Sequence, residues 1–210
     1  LTRSELRPSD IGALKSAAAS GSVRATNAGI GLDGDLLWIN LSAAKARDAR
    51  SRWLQHGDFR RALAHSIDRR AFVDAVYLGA AVPADSIVSP GNRQWHAVAP
   101  LPGYDVGAAK QLLWSLNLTD RNGDGVLEDS DRRDVRLTLL TQKGNTSLER
   151  GAAFIRDSLA PLGVHVDVVE EAEPGLLRID TVGRRLPRAA AVRIERRASN
   201  PERHRGDALR

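Results

Sequence analysis

The chain has 210 residues, of which 42% are hydrophobic. That is enough to bury one good core or two small ones, and it excludes general disorder. No run approaches the ~18 apolar residues that a bilayer crossing needs, and the opening LTRSELRPSD lacks the apolar stretch of a signal peptide. The start at Leu1 and the absence of methionine read as a processed or partial sequence. The absence of cysteine excludes a disulfide framework, thiolate metal sites and thiol nucleophiles.

The net charge of +5 invites a nucleic-acid reading, so its distribution matters. Ten of the 31 basic residues and only four of the 26 acids fall in residues 175–210, which leaves the first 174 residues close to neutral. The Arg-rich segment has no Phe, Tyr or Trp for stacking. No nucleic-acid partner is expected.

In chain order, Ser9 or Asp10 is expected to cap a short helix with Ile11 and Leu14, ending near Gly21. The alternation in SVRAT predicts a strand. A Gly-rich turn and a second strand over Asp35 to Asn40 follow. Residues 41–57 read as a loop or loose helix. Asp58 is expected to cap a helix with Phe59, Ala62, Leu63 and Ile67 at helical spacing. Asp68 caps the next, with Phe72, Val73 and Val76 inward and Gly79 at a left-handed C-cap. Residues 80–103 carry Pro83, Pro90, Pro100 and Pro102 and predict a long ordered loop. Asp105 then caps a helix with Ala109, Leu112, Leu113 and Leu116 on one side.

Val135, Leu137 and Leu139 alternate as a strand. Thr146 and Glu149 have capping-box spacing ahead of a helix through Leu148, Ala152, Ile155, Leu159 and Leu162, closed by Gly163. Val164, Val166 and Val168 form the next strand. Strand, helix and strand with short joints predict a βαβ unit with strands 135–141 and 164–169 parallel. Beyond Pro174 the patterning ends. With Pro187, Pro201 and few large apolar residues, residues 175–210 are expected to be disordered.

Two motifs have alternative explanations. Gly29, Gly31 and Gly34 spell GxGxxG, but the third glycine leads into the apolar LLWIN instead of a helix, so no helix dipole would meet a pyrophosphate. A glycine turn between strands explains the spacing better. Asp120, Asn122, Asp124, Gly125, Glu128 and Asp131 occupy the positions of a calcium loop, making Ca2+ at residues 120–131 the one cofactor to consider. Asp at the last position reaches bidentate geometry less readily than Glu, and no clear helix follows, so a solvated Asp/Asn/Gly turn is the favoured reading. His56, His65, His96, His165 and His204 show no metal or catalytic spacing, and no serine lies in GxSxG. No catalytic or metal residues are assigned.

Residues 36–95 resemble the peptide-type (family 5) extracellular solute-binding proteins of ABC importers. The resemblance starts at Leu37-Trp38-Ile39-Asn40 and continues in Asp58-Phe59-Arg60-Arg61-Ala62-Leu63-Ala64-His65-Ser66-Ile67-Asp68-Arg69. That signature is one residue shorter than the common form, with Ser66 in place of Ala. It goes on through Val76 to Pro83, Pro90-Gly91-Asn92, Tyr104-Asp105 and Ala109-Lys110-Gln111-Leu112-Leu113, reaching about residue 170 in the family's order.

The resemblance implies an α/β fold, one lobe of a type II periplasmic-binding-protein-like architecture over residues 1–174, followed by the basic tail at 175–210. It implies a substrate-binding component for peptides or related small solutes, not an enzyme, with Trp38 and Asn40 lining the pocket. A permease of the inner membrane would be the partner. The protein would be a monomer, periplasmic or extracellular, with a lipid anchor as an option in the full-length form. Family members are more than twice as long, which implies a fragment that binds poorly alone. RIDTVGRRLPRAAAVRIERRASNPERHRGDALR matches nothing in them and is expected to arise from a shifted reading frame. A cytosolic α/β enzyme domain and a binding module using its basic tail are the alternatives.

Overall fold

The computed structural model describes residues 8–24, 26, 29–32, 34–42, 52–171 and, for the backbone, 177–180. Helix α1 spans Pro8–Ala19. It starts ahead of the expected caps, because proline's fixed φ suits the first helical position, and Asp10 therefore lies within the first turn. It ends as expected: Gly21 takes φ +76, and Ser22 N donates to Ala17 O at 3.0 Å.

The strand expected over SVRAT is not formed at the described residues, and Val23 is exposed. One large apolar residue in an alternating run gives a sheet too little to bury. The second strand is shorter than expected, β1 being Leu37–Ile39. In the stretch expected as loop or loose helix, residues 52–55 form a short helix, α2 (Arg52–Gln55), which buries Trp53 and Leu54.

Helix α3, Gly57–Ser66, starts one residue before Asp58, with His56 at the N-cap and no side-chain cap. Asp58 instead accepts from Arg61 and sits where a negative charge favours the helix dipole. Arg60 caps the preceding helix, its Nη1 donating to the carbonyls of Leu54 at 2.7 Å and Gln55 at 2.9 Å. Helix α4, Arg69–Tyr77, has the expected cap: Asp68 Oδ1 accepts from Arg70 N and Ala71 N. The chain leaves it through two left-handed residues, Leu78 and Gly79.

Helix α5, Val106–Ser115, is capped by Asp105, which accepts from Ala108 N at 2.9 Å. Strand β2 is Arg136–Gln142, helix α6 is Thr146–Leu159, and a 3-10 turn over Ala160–Leu162 leads to β3, His165–Glu171. The cap of α6 lies one residue earlier than expected. Asn145 Oδ1 accepts from Leu148 N at 3.2 Å, and Glu149 Oε1 accepts from Gly144 N at 2.7 Å. Asn145 and Glu149, four residues apart, thus satisfy two amides at the helix start in a variant of the expected capping box.

Strands β2 and β3 pair in parallel from Arg136↔His165 to Gln142↔Glu171, as the βαβ reading requires. A fourth strand, β4 (Leu177–Asp180), gives the sheet order β1-β4-β2-β3. β4 runs parallel to β1 and antiparallel to β2. It corrects the expectation that disorder begins at residue 175, because these four residues are held by ladders on both sides. Residues 181–210, to which the rest of that expectation applies, lie outside the described residues.

Helix α6 packs on β2 and β3, α3 on α5, and α4 on α6. Phe72 of α4 meets Phe154 of α6 edge-on, with centroids 5.4 Å apart. Phe59, Ala62, Leu63, Leu113, Leu137, Leu139, Ile155 and Val164 belong to one continuous buried cluster.

Candidate functional site

Strand alternation decides what β1 presents. Leu37 and Ile39 pack against the core, so Trp38 points to the opposite face, where it is 42% exposed. The register extends that face across the sheet: Trp38 pairs with position 178, position 178 with Leu140, and Leu140 with Val169. Val169 is exposed and Leu140 half-buried, so three apolar side chains share one cross-strand row. Trp38 is therefore not a core aromatic.

Asn40 follows at the end of β1 and is half-buried. Its Oδ1 accepts from Ser42 N at 3.1 Å, an Asx turn that directs the chain out of the sheet. Upstream, Tyr77 OH donates to Asp35, tying the approach to β1 to the end of α4. Burial raises the Asp35 carboxyl above its ordinary value.

The sequence reading missed a concavity of about 440 Å³ at the end of β2 and the start of α6, lined by Gln142, Lys143, Gly144, Asn145, Thr146, Ser147, Arg150 and Pro8. Lys143 and Arg150 make it cationic. The signal was available: Lys143-Gly144-Asn145 joins the carboxyl end of a parallel strand to a capped helix, where α/β folds place ligands. Neither Trp38 nor Asn40 lines this hollow, nor the shallower groove between α3 and α5 beside His65.

At residues 120–131 most of the side-chain oxygens accept from nearby backbone amides. Asp120 accepts from Gly123 N and Gly125 N, Asn122 from Asp124 N, and Asp124 from Val126 N. Glu128 is buried and accepts from Arg121 N, while Asp131 pairs with Arg52 and Arg133. Asp124 is held below the usual carboxylate range, first by the Val126 amide and then by Asn122. These carboxylates do not converge, and among the described residues no group of three or more His, Asp or Glu is placed to hold a metal. The geometry over residues 120–126 is that of an Asp/Asn/Gly turn held by its own side chains.

His65 and His165 are likewise engaged in local contacts. His65 Nδ1 donates to Gly103 O at 2.7 Å, and His165 Nε2 lies 3.1 Å from Asp167.

Comparisons with known proteins identify the scaffold. A protein of Deinococcus radiodurans described as a probable ABC transporter-binding protein is 26% identical over 164 residues, covering 74% of this chain and 26% of that protein. The oligopeptide-binding protein AppA of Bacillus subtilis is 31% identical over 109 residues, covering 51% of this chain and 20% of AppA. The solved structure of AppA in complex with a nonapeptide superposes with a TM-score of 0.53 at 29% identity, over 57% of this chain and 24% of AppA. The chain thus spans about a quarter of the length of these relatives. Residues 2–185 match the family described as bacterial extracellular solute-binding proteins, family 5, middle part. That match runs past residue 170, where the resemblance was expected to end, and it takes in β4. Members of this family bind solutes and are not enzymes, which removes the enzyme-domain alternative. With a family match over most of its length, the chain belongs to the bacterial extracellular solute-binding proteins, family 5.

Proposed function

We propose that this chain is part of the substrate-binding component of an ABC importer, and that its solutes are peptides or related small molecules. The observation that carries this reading is the family match over residues 2–185, together with the likeness to a relative solved with a nonapeptide. On this reading residues 1–174 are one lobe of a type II periplasmic-binding-protein-like protein, to which the described strand β4 adds. A second lobe, from the part of the relatives that this chain does not span, would close over the solute by hinge motion. The whole protein works in the periplasm or outside the cell as a monomer and delivers its solute to an inner-membrane permease.

Within this lobe, Trp38 and Asn40 line the solute site. In support, Trp38 is exposed on the sheet face that carries Leu140 and Val169 farther along the same cross-strand row, beyond β4. Its indole offers a large, rigid contact surface that tolerates varied peptide side chains. Asn40 supplies an amide at the strand end, where a peptide backbone needs a polar partner. The shifted reading frame expected from about residue 175 is narrowed to the residues beyond 185, because the family match reaches that far, and the DNA read in the other frames would restore the family's continuation if this is right.

The chain alone offers one wall of a two-walled site. A micromolar complex is worth about −8 kcal/mol, and losing half of its contacts leaves millimolar binding or weaker. Titration calorimetry with a mixed di- to pentapeptide library tests this. A dissociation constant below about 10 µM would show a complete site within these residues and defeat the one-lobe reading.

A further inference from the structure

Residues 80–104 contain no helix or strand, yet backbone hydrogen bonds fold their middle into a closed loop. Asn92 N donates to Ser89 O at 2.9 Å, His96 N to Asn92 O at 2.9 Å, and Ala99 N to Asp85 O at 3.1 Å. The loop rests on the segment that leads into β1. Ser89 donates its hydroxyl to Gly31 O, and a Cβ at position 91 would collide with the Ile30 carbonyl, so only glycine permits that approach.

The His96 ring lies inside this loop and is only 16% exposed. Its Nδ1 stands 2.8 Å from Val88 O. A carbonyl only accepts, so Nδ1 carries a hydrogen. Nε2 faces Asp85 Oδ1 at 3.5 Å, and that oxygen is buried without a hydrogen-bond partner. A neutral ring protonated at Nδ1 would turn the Nε2 lone pair toward the carboxylate. The imidazolium offers a donor to each acceptor.

We infer that His96 is a proton-dependent clasp: in its doubly protonated form it joins Val88 O to Asp85 and holds loop 85–99 closed against Ile30 and Gly31, the approach to β1. Asp85 is the charged group that faces the ring, and the other recorded partners of His96 are the carbonyls of Val88 and Asn92. The Nε2 donor that reaches Asp85 exists only on the protonated ring, so closure weakens where the imidazolium gives way to the neutral form. A solute-binding protein exposed to the surrounding medium would thereby have the strand bearing Trp38 buttressed most firmly in mildly acidic conditions.

The test is amide hydrogen exchange by NMR on the whole 210-residue chain, expressed as protection factors so that the intrinsic pH dependence is removed. Ala99 is the reporter, because its N–H bonds to Asp85 O. A charge-assisted contact of this type corresponds to on the order of a tenfold change in the opening equilibrium. The Ala99 protection factor should therefore fall by about tenfold between pH 5.5 and 7.5 in the wild type. It should be independent of pH in His96→Gln and in Asp85→Asn. The Leu139 amide, in the central strand, should stay equally protected throughout and so report an intact core. A wild-type factor for Ala99 that does not change over this range, or an equal fall in His96→Gln, would overturn the clasp.

Discussion

Leu127 donates its backbone N–H to the carbonyl of Gly163 at 2.7 Å, joining the polar turn after α5 to the tight exit from α6. Gly163 has φ +76, and a Cβ there would stand 2.9 Å from Leu127 Cγ. Val135 N in turn donates to Leu127 O at 2.7 Å, so this contact also places the start of β2. Gly163→Ala should cost roughly 1–3 kcal/mol, from left-handed strain and overpacking together. Urea unfolding measures it, and a loss under about 0.5 kcal/mol would contradict the account.

Phe59 is fully buried in the core and lies 6.5 Å from the Trp53 ring. Phe59→Ala should destabilise the fold by about 3–5 kcal/mol. Arg61 on the same helix is exposed and pairs with Asp58 three residues before it, and Arg61→Ala should stay within about 0.5 kcal/mol. Equal effects from the two variants in chemical denaturation would be inconsistent with the assigned helix face.

Two carboxylates should give stability opposite slopes with pH. Asp124 is lowered from 3.8, so its contribution is present above that value and is lost as the pH falls through its native titration. The deficit of Asp124→Ala relative to the wild type should shrink on acidification. Asp35 is raised from 3.8 by burial, so the folded state favours its neutral form and is penalised as the pH rises. Asp35→Asn should gain relative to the wild type between pH ~3 and ~6. Thermal midpoints across that range decide both, and parallel curves for the two variants would refute the assignment.

Where a periodic apolar face coincided with a side-chain cap, the helices were legible in sequence. Asp68 and Asp105 cap the helices expected of them, and the parallel pairing of β2 with β3 follows from Val135 to Val168 alone. Caps were misplaced where two polar residues competed. Asn145 took the role given to Thr146, because its longer carboxamide reaches Leu148 N while Glu149 reaches back to Gly144. Strand β4 was not legible, because Leu-Arg-Ile-Asp is too short to show periodicity and is fixed by pairing with β1 and β2, which are distant in sequence. The exposure of Trp38 depended on the same register. The cavity at the start of α6 arises where a strand end meets a helix N-terminus, which no single-residue pattern displays.

The site assignment predicts that binding and stability separate at Trp38. Because the indole is 42% exposed and faces away from the core, Trp38→Ala should change stability by less than about 1 kcal/mol. The same substitution should weaken peptide binding at least several-fold, as expected of an aromatic contact worth about 1 kcal/mol or more. Unfolding of the variant at ambient temperature would return Trp38 to a structural role.

The central claim, that this lobe contributes one wall of a peptide site through the β1 end of its sheet, is tested most directly by an NMR titration of the chain with a mixed di- to pentapeptide library. Tracking the Trp38 indole N–H and the Asn40 carboxamide, the account predicts progressive shifts at both, fitted by a dissociation constant in the millimolar range, about −4 kcal/mol. No movement of either resonance at several millimolar peptide, or saturation below about 10 µM, would contradict it.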